Sequence, residues 1–201
     1  MKIERYPIEN GEELLIPVAE SYRDCMKLIK SDHYRSTGKV PTTWKVLAKN
    51  LKPFSKSVLF WLRLAQYRGW LRPLCHFMWA RKGEKMQVSI PETVKIGYGL
   101  YLGHATCMVV NEQTIIGNNV NLSQFLNIGS NKGMTPIIGD RVYIAPHACL
   151  VEGVKIGNDA VVGAGAVVTK DVAAGTTVAG VPAKPISGRD SSPFIQHPFP
   201  I

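Results

Sequence analysis

An aliphatic residue returns every six positions through the second half of the chain. The lead positions are Ile90, Ile96, Leu102, Met108, Ile116, Leu122, Ile128, Ile138, Ile144, Leu150, Ile156, Val162 and Val168. Neither an α-helix, with about 3.6 residues per turn, nor a plain alternating strand has a period of six. Three six-residue units make one rung of a triangular coil, and stacked rungs bury the lead residues. The pattern therefore predicts a mainly β chain that folds as a parallel β-helix.

The six-residue register slips twice. Two residues are inserted after Met108 and four after Ile128. An insertion that leaves the period intact on both sides has to leave the wall of the coil. This predicts a bulge at residues 110–114 and a loop at residues 131–136, on equivalent edges of neighbouring rungs. His104 lies just before the bulge, and loops on a rigid scaffold often carry chemistry.

The chain is expected to divide into three parts. Residues 1–86 are a helical, basic N-terminal segment and residues 87–185 are the β-helix. Residues 186–201 are a tail expected to be an extended strap or partly disordered. Within the first segment, the spacing predicts a loose start over residues 1–10 and a helix from about residue 12 to 29. It also predicts a short helix through Trp44, and a longer helix from 55 to 78 that Gly69 and Pro73 bend or split.

Positive charge is concentrated in residues 23–85. Fifteen Lys or Arg stand there against three acids, a net of +12, whereas the whole chain carries +9. All four tryptophans lie in the same stretch. We favour a solvated helical cap whose aromatic residues pack on the first rung. A peripheral contact with an anionic membrane is compatible with this interpretation, and failure to co-sediment with anionic liposomes at low salt would reject it.

Several function classes are disfavoured. The most apolar stretch, residues 58–80, contains Arg63, Arg68 and Arg72 and is not a clean membrane span. The acidic N-terminus has no apolar signal core, so we expect a cytoplasmic chain, with or without contact at the inner face of the membrane. The four cysteines are scattered, which predicts neither a metal site nor a disulfide framework. Because the aromatic residues lie in helices, basicity does not indicate a nucleic-acid partner.

Two stretches of the β-helix resemble a known family. They are the run from Ile96 to Glu112, IGYGLYLGHATCMVVNE, and the run from Val178 to Lys184, VAGVPAK. Both are similar to bacterial hexapeptide-repeat acyltransferases, in particular to serine acetyltransferases, and the resemblance covers about residues 88–187. It implies a left-handed parallel β-helix, a homotrimer, and acetyl transfer from acetyl-CoA as co-substrate without a metal.

By this resemblance, His104 matches the catalytic histidine and Glu112 an acidic residue of the same motif. The chemistry fits independently, since a neutral imidazole with a pKa of about 6.5 can accept the proton of an attacking hydroxyl. The alternative is a histidine that only fills a corner of the coil. His147, two rungs later, is expected on the same edge as a surface residue.

The acceptor is less clear because the site departs from serine acetyltransferases. Gly103 stands where the family has Asp, Ser89 where it has the acidic partner of the histidine, and the loop that binds the amino acid is shortened. These departures look more like O-acetyltransferases of exopolysaccharide and capsule synthesis, including the colanic-acid type. We therefore expect a saccharide acceptor. A serine O-acetyltransferase is the alternative, followed by a non-catalytic trimeric scaffold.

Further candidate residues follow from this expectation. Neutral hydrogen-bonding groups for the acceptor are Asn111, Gln124, Asn127 and Thr135. Candidates for cofactor contacts are Ser130, Ala145, Gly163, Lys170 and Lys184. For each polar residue the alternative is ordinary solvation of a corner, and for the two lysines an ordinary surface charge.

Overall fold

A computed structural model describes residues 1–9, 11–51, 58–130 and 133–201. The chain begins with an antiparallel hairpin, β1 (Lys2–Pro7) and β2 (Glu13–Val18). The helices of the described part follow as α1 (Tyr22–Thr37), α2 (Thr43–Asn50), α3 (Val58–Ala65) and α4 (Arg72–Met86). Helix α2 confirms the short helix predicted through Trp44, and the break between α3 and α4 confirms the predicted split. Residues 55–57 of that predicted helix lie outside the described residues.

The β-helix follows in three faces of parallel strands. Face I consists of β3 (Val88–Ser89), β6 (Met108–Val110), β9 (Asn127–Ile128), β12 (Cys149–Leu150) and β15 (Val167–Val168). Face II consists of β4 (Lys95–Ile96), β7 (Ile115–Ile116), β10 (Ile137–Ile138) and β13 (Lys155–Ile156). Face III consists of β5 (Tyr101–Gly103), β8 (Asn121–Ser123), β11 (Tyr143–Ile144), β14 (Val161–Val162), β16 (Thr177–Ala179) and the antiparallel β17 (Lys184–Ser187). This confirms the predicted parallel β-helix.

The repeated aliphatic residues form the interior of the prism. Ile116, Ile138 and Ile156 pair in register on face II, and each is fully buried. Like residues thus stack one strand spacing apart, about 4.8 Å. The glycine after a lead residue has a steric reason. A Cβ on Gly117 would lie 2.6 Å from the carbonyl carbon and oxygen of Gly139 in the next rung.

The first insertion is not where the sequence pattern placed it. Leu102 pairs with Leu122, and Val110 pairs with Ile128. Val110 therefore lies eight positions after Leu102, whereas their partners Leu122 and Ile128 are only six positions apart. The predicted bulge at residues 110–114 is wrong, because the two extra residues lie between β5 and β6, in the turn that carries His104. Met108 matched the six-residue count, but hydrogen bonding selects Val110 as the equivalent position.

The N-terminus also differs from the prediction. Residues 13–18 are strand β2 rather than helix, and β1 occupies most of the predicted loose start. Leu14 and Ile16 point inward with the alternation of a strand. Helix α1 begins only after Ser21, whose side chain accepts a hydrogen bond from the Asp24 N–H. The apolar residues before Ser21 fit both a helical and an alternating period, so the sequence pattern was ambiguous.

Two segments cover two of the faces. The hairpin lies on face II, where Ile8, Leu14 and Ile16 pack on Ile115 and Ile137. The C-terminal tail lies along face III as an extended strap, and it is hydrogen-bonded there to the Asn119 and Asn121 side chains. Face I differs from both. In the described part of the chain, its outward residues Ser89, Val109 and Asn127 are exposed.

A buried ion pair joins the helices to the edge between faces II and III. Arg63 of α3 is fully buried and donates two hydrogen bonds of 2.9 Å to the carboxylate of Asp32 in α1. The same guanidinium donates to the carbonyls of Ile96 and Gly97. The Leu100 N–H in turn donates to Asp32. The helices are therefore fixed to the backbone that leads directly into β5.

Candidate functional site

The turn after β5 carries His104 at the edge between faces III and I. We call this edge the His104 edge; it comprises residues 103–107, 124–126, 145–148 and 163–166. His104 is exposed and has a left-handed φ of 50°. The two inserted residues displace the chain from the wall, so this side chain projects from a rigid prism rather than filling a corner. That exposure is what a group that takes a proton from a substrate requires.

Four other predicted residues lie on or beside this edge. Gln124 is half-buried one rung below the His104 turn, and its carbonyl accepts from the His147 N–H. Ala145 and Gly163 directly follow the consecutive strands β11 and β14 of face III; Ala145 is buried and Gly163 half-buried. Lys184 is exposed at the far end, where it pairs with Ala179. The edge is thus lined by small residues and ends in a cation.

The remaining turn residues lie at a different edge, between faces I and II. We call it the loop edge; its described residues are 111–114, 129–130, 133–136, 151–154 and 169–171. The registers of β9 with β12 and of β10 with β13 place four extra residues here, which confirms the predicted loop. Residues 131 and 132 of that loop lie outside the described residues.

Five predicted residues share the loop edge. Glu112 and Lys170 are exposed, and Thr135 is half-buried. The Asn111 side chain accepts from the Gln113 N–H, as a residue that stabilises its own turn does. The Ser130 hydroxyl donates to the Met134 carbonyl and so ties the loop together. Asn127 lies on face I, between the two edges.

The structure therefore divides the predicted site within one protomer. His104 and Glu112 lie beyond opposite ends of β6, with the width of face I between them. Ser89 is on face I, paired with Val109. His104, Gln124, Gly163 and Lys184 lie along one edge, whereas Glu112 and the loop lie along the other.

Sequence reasoning missed one residue at the His104 edge. Phe125 has a left-handed φ of 60° and is 45% exposed. Its ring stacks on that of His147, with 4.5 Å between the centroids and 11° between the planes. Once hydrogen bonding aligns the rungs, the equivalent position in a later rung is Gly165, the residue type that ordinarily occupies such a turn. His147 itself lies on the predicted edge.

The basic segment is exposed at two of its tryptophans. Trp61 and Trp79 are buried against the first rungs, as expected of a cap, whereas Trp44 and Trp70 are 76% and 82% exposed. Among the described helices, none combines the length and apolarity needed to cross a bilayer. Contact of residues 23–85 with an anionic membrane stays a prediction.

Comparisons with known proteins agree with this geometry. The family model described as bacterial transferase hexapeptide (six repeats) matches residues 135–170. Serine acetyltransferase of Escherichia coli K12 is 37% identical over 134 residues, which cover 63% of this chain and 49% of that protein. The mitochondrial serine acetyltransferase 3 of Arabidopsis thaliana is 37% identical over 115 residues, 55% of this chain and 29% of that protein. The chain thus spans half or less of these two relatives.

A solved structure extends the match over more of the fold. Serine acetyltransferase of Neisseria gonorrhoeae, in complex with serine, superposes with a TM-score of 0.67 at 31% identity. The superposition covers 82% of this chain and 70% of that one. It therefore includes more than the hexapeptide repeats alone.

Proposed function

Because the chain belongs to the serine acetyltransferase family of hexapeptide-repeat transferases, we propose that it is an acetyl-CoA-dependent O-acetyltransferase. One observation of the site carries this proposal: an exposed histidine on a two-residue insertion in an otherwise regular wall. The β-helix is regular except where the inserted residues carry His104 out of the wall. Such a local departure from a rigid repeat indicates a functional role for the imidazole.

His104 would act as the general base. A hydroxyl is a weak nucleophile at neutral pH, and a neutral imidazole within hydrogen-bond reach accepts its proton during attack. The same imidazolium can then return the proton to the departing thiolate. Glu112, from the other end of β6, is proposed to belong to the same site, as its place in the family motif implies.

The His104 edge suits the co-substrate. Acetyl-CoA supplies an activated acetyl thioester when bound. Small residues such as Gly163 leave the main chain approachable below His104, and Lys184 offers a cation for phosphate. Lys170 and Ser130 lie on the loop edge, so they could contact the same molecule only from a neighbouring copy.

We propose a homotrimer for that reason. Three copies that turn face I toward a common axis would bring the His104 edge of each beside the loop edge of the next, since such an interface joins two different surfaces. Exposed Val109 and Asn127 on face I are consistent with this arrangement. The divided site would then be completed between protomers.

L-Serine is the first acceptor to consider. The relatives that match this chain are serine acetyltransferases, and they favour serine over the saccharide expected from the sequence. A saccharide hydroxyl is the second candidate. By the resemblance, Gly103 stands where serine acetyltransferases have an acidic residue, and a neutral residue there suits an uncharged acceptor better than a zwitterion.

Thiol release from acetyl-CoA tests the proposal. The assay should compare L-serine with a panel of saccharides, using wild-type protein and His104→Ala. We expect the variant to lose about 10²- to 10⁴-fold in turnover with its melting temperature unchanged, because general-base catalysis contributes that much.

His197→Ala is the matched control, since it removes an exposed imidazole from the tail. It should retain full turnover. Unchanged turnover in His104→Ala would refute the catalytic assignment. Efficient acetylation of serine alone selects the first acceptor, and acetylation of saccharides alone selects the second.

A further inference from the structure

The aromatic pair at the His104 edge is not explained by the reaction proposed above. Phe125 and His147 occupy the same turn position in consecutive rungs, and their rings are stacked. Backbone bonds fix this alignment: the Phe125 N–H donates to the Thr106 carbonyl, and the His147 N–H donates to the Gln124 carbonyl. The pair therefore begins one rung below the turn that carries His104.

The backbone at Phe125 is strained. Its φ of 60° lies in the left-handed region, which a bulky side chain disfavours. On the edge between faces II and III, Asn119, Arg141 and Asp159 hold the equivalent left-handed turns, and none of the three is aromatic. Glycine holds such a turn at Gly165. A bulky aromatic side chain in a left-handed turn is costly, and strain of this kind is concentrated at functional sites.

The stack leaves one aromatic face available. His147 lies one rung further along the chain, so it covers the face of Phe125 that points away from His104. The opposite face of Phe125 is directed at the rung of the His104 turn, and 45% of the residue remains exposed. The Phe125 N–H donates to the Thr106 carbonyl within the turn that carries His104, so the imidazole and the exposed aromatic ring lie on neighbouring turns of one edge.

We propose that the Phe125–His147 pair is an acceptor-binding platform that holds the apolar face of a pyranose ring, with one ring hydroxyl directed at His104. The inference rests on the proposed O-acetyltransferase function and deepens it. An aromatic face buries the C–H face of a sugar, while Gln124 beside it can meet the hydroxyls. Serine has no ring to place there, so the platform adds weight to the second acceptor.

The platform serves the acceptor rather than the cofactor. The acetyl carbonyl must lie beside His104 for transfer to occur. The adenine of CoA is at the far end of a long flexible arm, so it cannot lie one rung from the reacting carbon when the arm is extended along the edge. The ring therefore does not bind adenine, and the KM for acetyl-CoA in Phe125→Leu distinguishes the acceptor from the arm of CoA, which lies along the same edge.

Two measurements test the platform, one of which needs no turnover. The first is the dissociation constant of methyl β-D-galactopyranoside and methyl β-D-glucopyranoside, followed by saturation-transfer NMR on the full chain. The second is the KM for each glycoside and for acetyl-CoA. Phe125→Leu should weaken glycoside binding and raise its KM about tenfold, which is the scale of one aromatic contact. The KM for acetyl-CoA should stay within about twofold.

Phe194→Leu is a closely matched control. Phe194 is also 45% exposed, and it stacks on Tyr143 with 4.5 Å between centroids, but it lies in the tail on face III. Its replacement should leave glycoside binding and both KM values unchanged. Phe125→Trp, which keeps a flat ring, should restore glycoside binding.

The outcomes separate the inference from the proposed function. Failure of the wild-type protein to bind either glycoside, or unchanged binding in Phe125→Leu, overturns the platform. If the protein still acetylates serine in a His104-dependent way after either of these results, the proposed O-acetyltransferase function stands and only the platform is rejected. A raised KM for acetyl-CoA in Phe125→Leu would assign the ring to the cofactor, and this also overturns the inference.

Discussion

Replacement of Arg63 by Met should destabilise the protein strongly. The side chain of Arg63 is fully buried, and that of Asp32 is 6% exposed. Four hydrogen bonds of 2.6–2.9 Å run from the guanidinium to the Asp32 carboxylate and to the carbonyls of Ile96 and Gly97. Met fills a similar volume but donates no hydrogen bond. The variant therefore buries an unpaired carboxylate and two carbonyls that lose a donor.

The magnitude follows from these contacts. Removing one partner of a buried ion pair costs about 3–5 kcal/mol. A carbonyl that loses its donor adds up to about 1–3 kcal/mol, but these costs overlap because the site can relax. We therefore expect a loss of about 4 kcal/mol in the free energy of unfolding. For a chain of this size, that corresponds to a fall of about 8–16 °C in melting temperature.

The loss should also depend on pH. Burial raises the pKa of Asp32, and the Arg63 guanidinium opposes that shift. Without Arg63 the folded-state pKa rises further above the unfolded value. A carboxyl with a raised folded-state pKa takes up a proton on folding, so its penalty grows as pH rises through that range. The Arg63→Met variant should accordingly lose less stability at pH 5 than at pH 8.

Urea unfolding at fixed protein concentration, followed by tryptophan fluorescence, measures the effect. Arg5→Met is the control, since Arg5 and Glu13 form an exposed pair worth at most about 1 kcal/mol. The double variant Arg63→Met/Asp32→Leu removes the isolated charge and should recover part of the loss. A single-variant loss below about 1 kcal/mol, or a double variant no more stable than Arg63→Met, would refute the reasoning.

Two other predictions concern the wall and the hairpin. Gly117→Ala should cost about 1–3 kcal/mol in thermal unfolding, because its Cβ would collide with the Gly139 backbone at 2.6 Å. Gly188→Ala, where a Cβ meets nothing, should be neutral, and equal losses in the two variants would contradict this account. The Tyr6 hydroxyl and Lys95 lower the pKa of Glu4 to about 2. The stability that the ionised Glu4 carboxylate contributes is complete above its unfolded-state pKa of about 4.3 and is lost as pH falls through about 2. Between pH 5 and pH 2, wild-type protein should therefore lose more stability than Glu4→Gln, and parallel curves would count against the linkage.

The His104 turn shows where sequence reasoning stopped. The family motif identified His104, and the slip in register indicated an insertion nearby. The insertion was placed after Met108 because Met108 falls on the six-residue count. Only the pairing of Val110 with Ile128 reveals that the extra residues carry His104 itself. Met108 lies six positions after Leu102 and Val110 lies six positions before Ile116, so both fit the six-residue period. Only the residue that each one pairs with in the next strand distinguishes them.

The acceptor side was also beyond the sequence pattern. Gln124 and Asn127 were candidates because their groups are polar, whereas Phe125 between them went unnoticed. Its interest comes from a left-handed φ and a stacking partner 22 residues later in the chain. Neither property is visible until the rungs are aligned.

The sequence by itself determined the β-helix, because a six-residue aliphatic period can be buried continuously only when like residues stack from rung to rung. The family motif identified the catalytic candidate His104, while the break in the period indicated only that the chain leaves the wall nearby. The tertiary structure decided which strand each residue pairs with, which faces the hairpin and the tail cover, and how the candidate residues divide between two edges. Those features depend on contacts between residues far apart in the chain, and a local period carries no information about them.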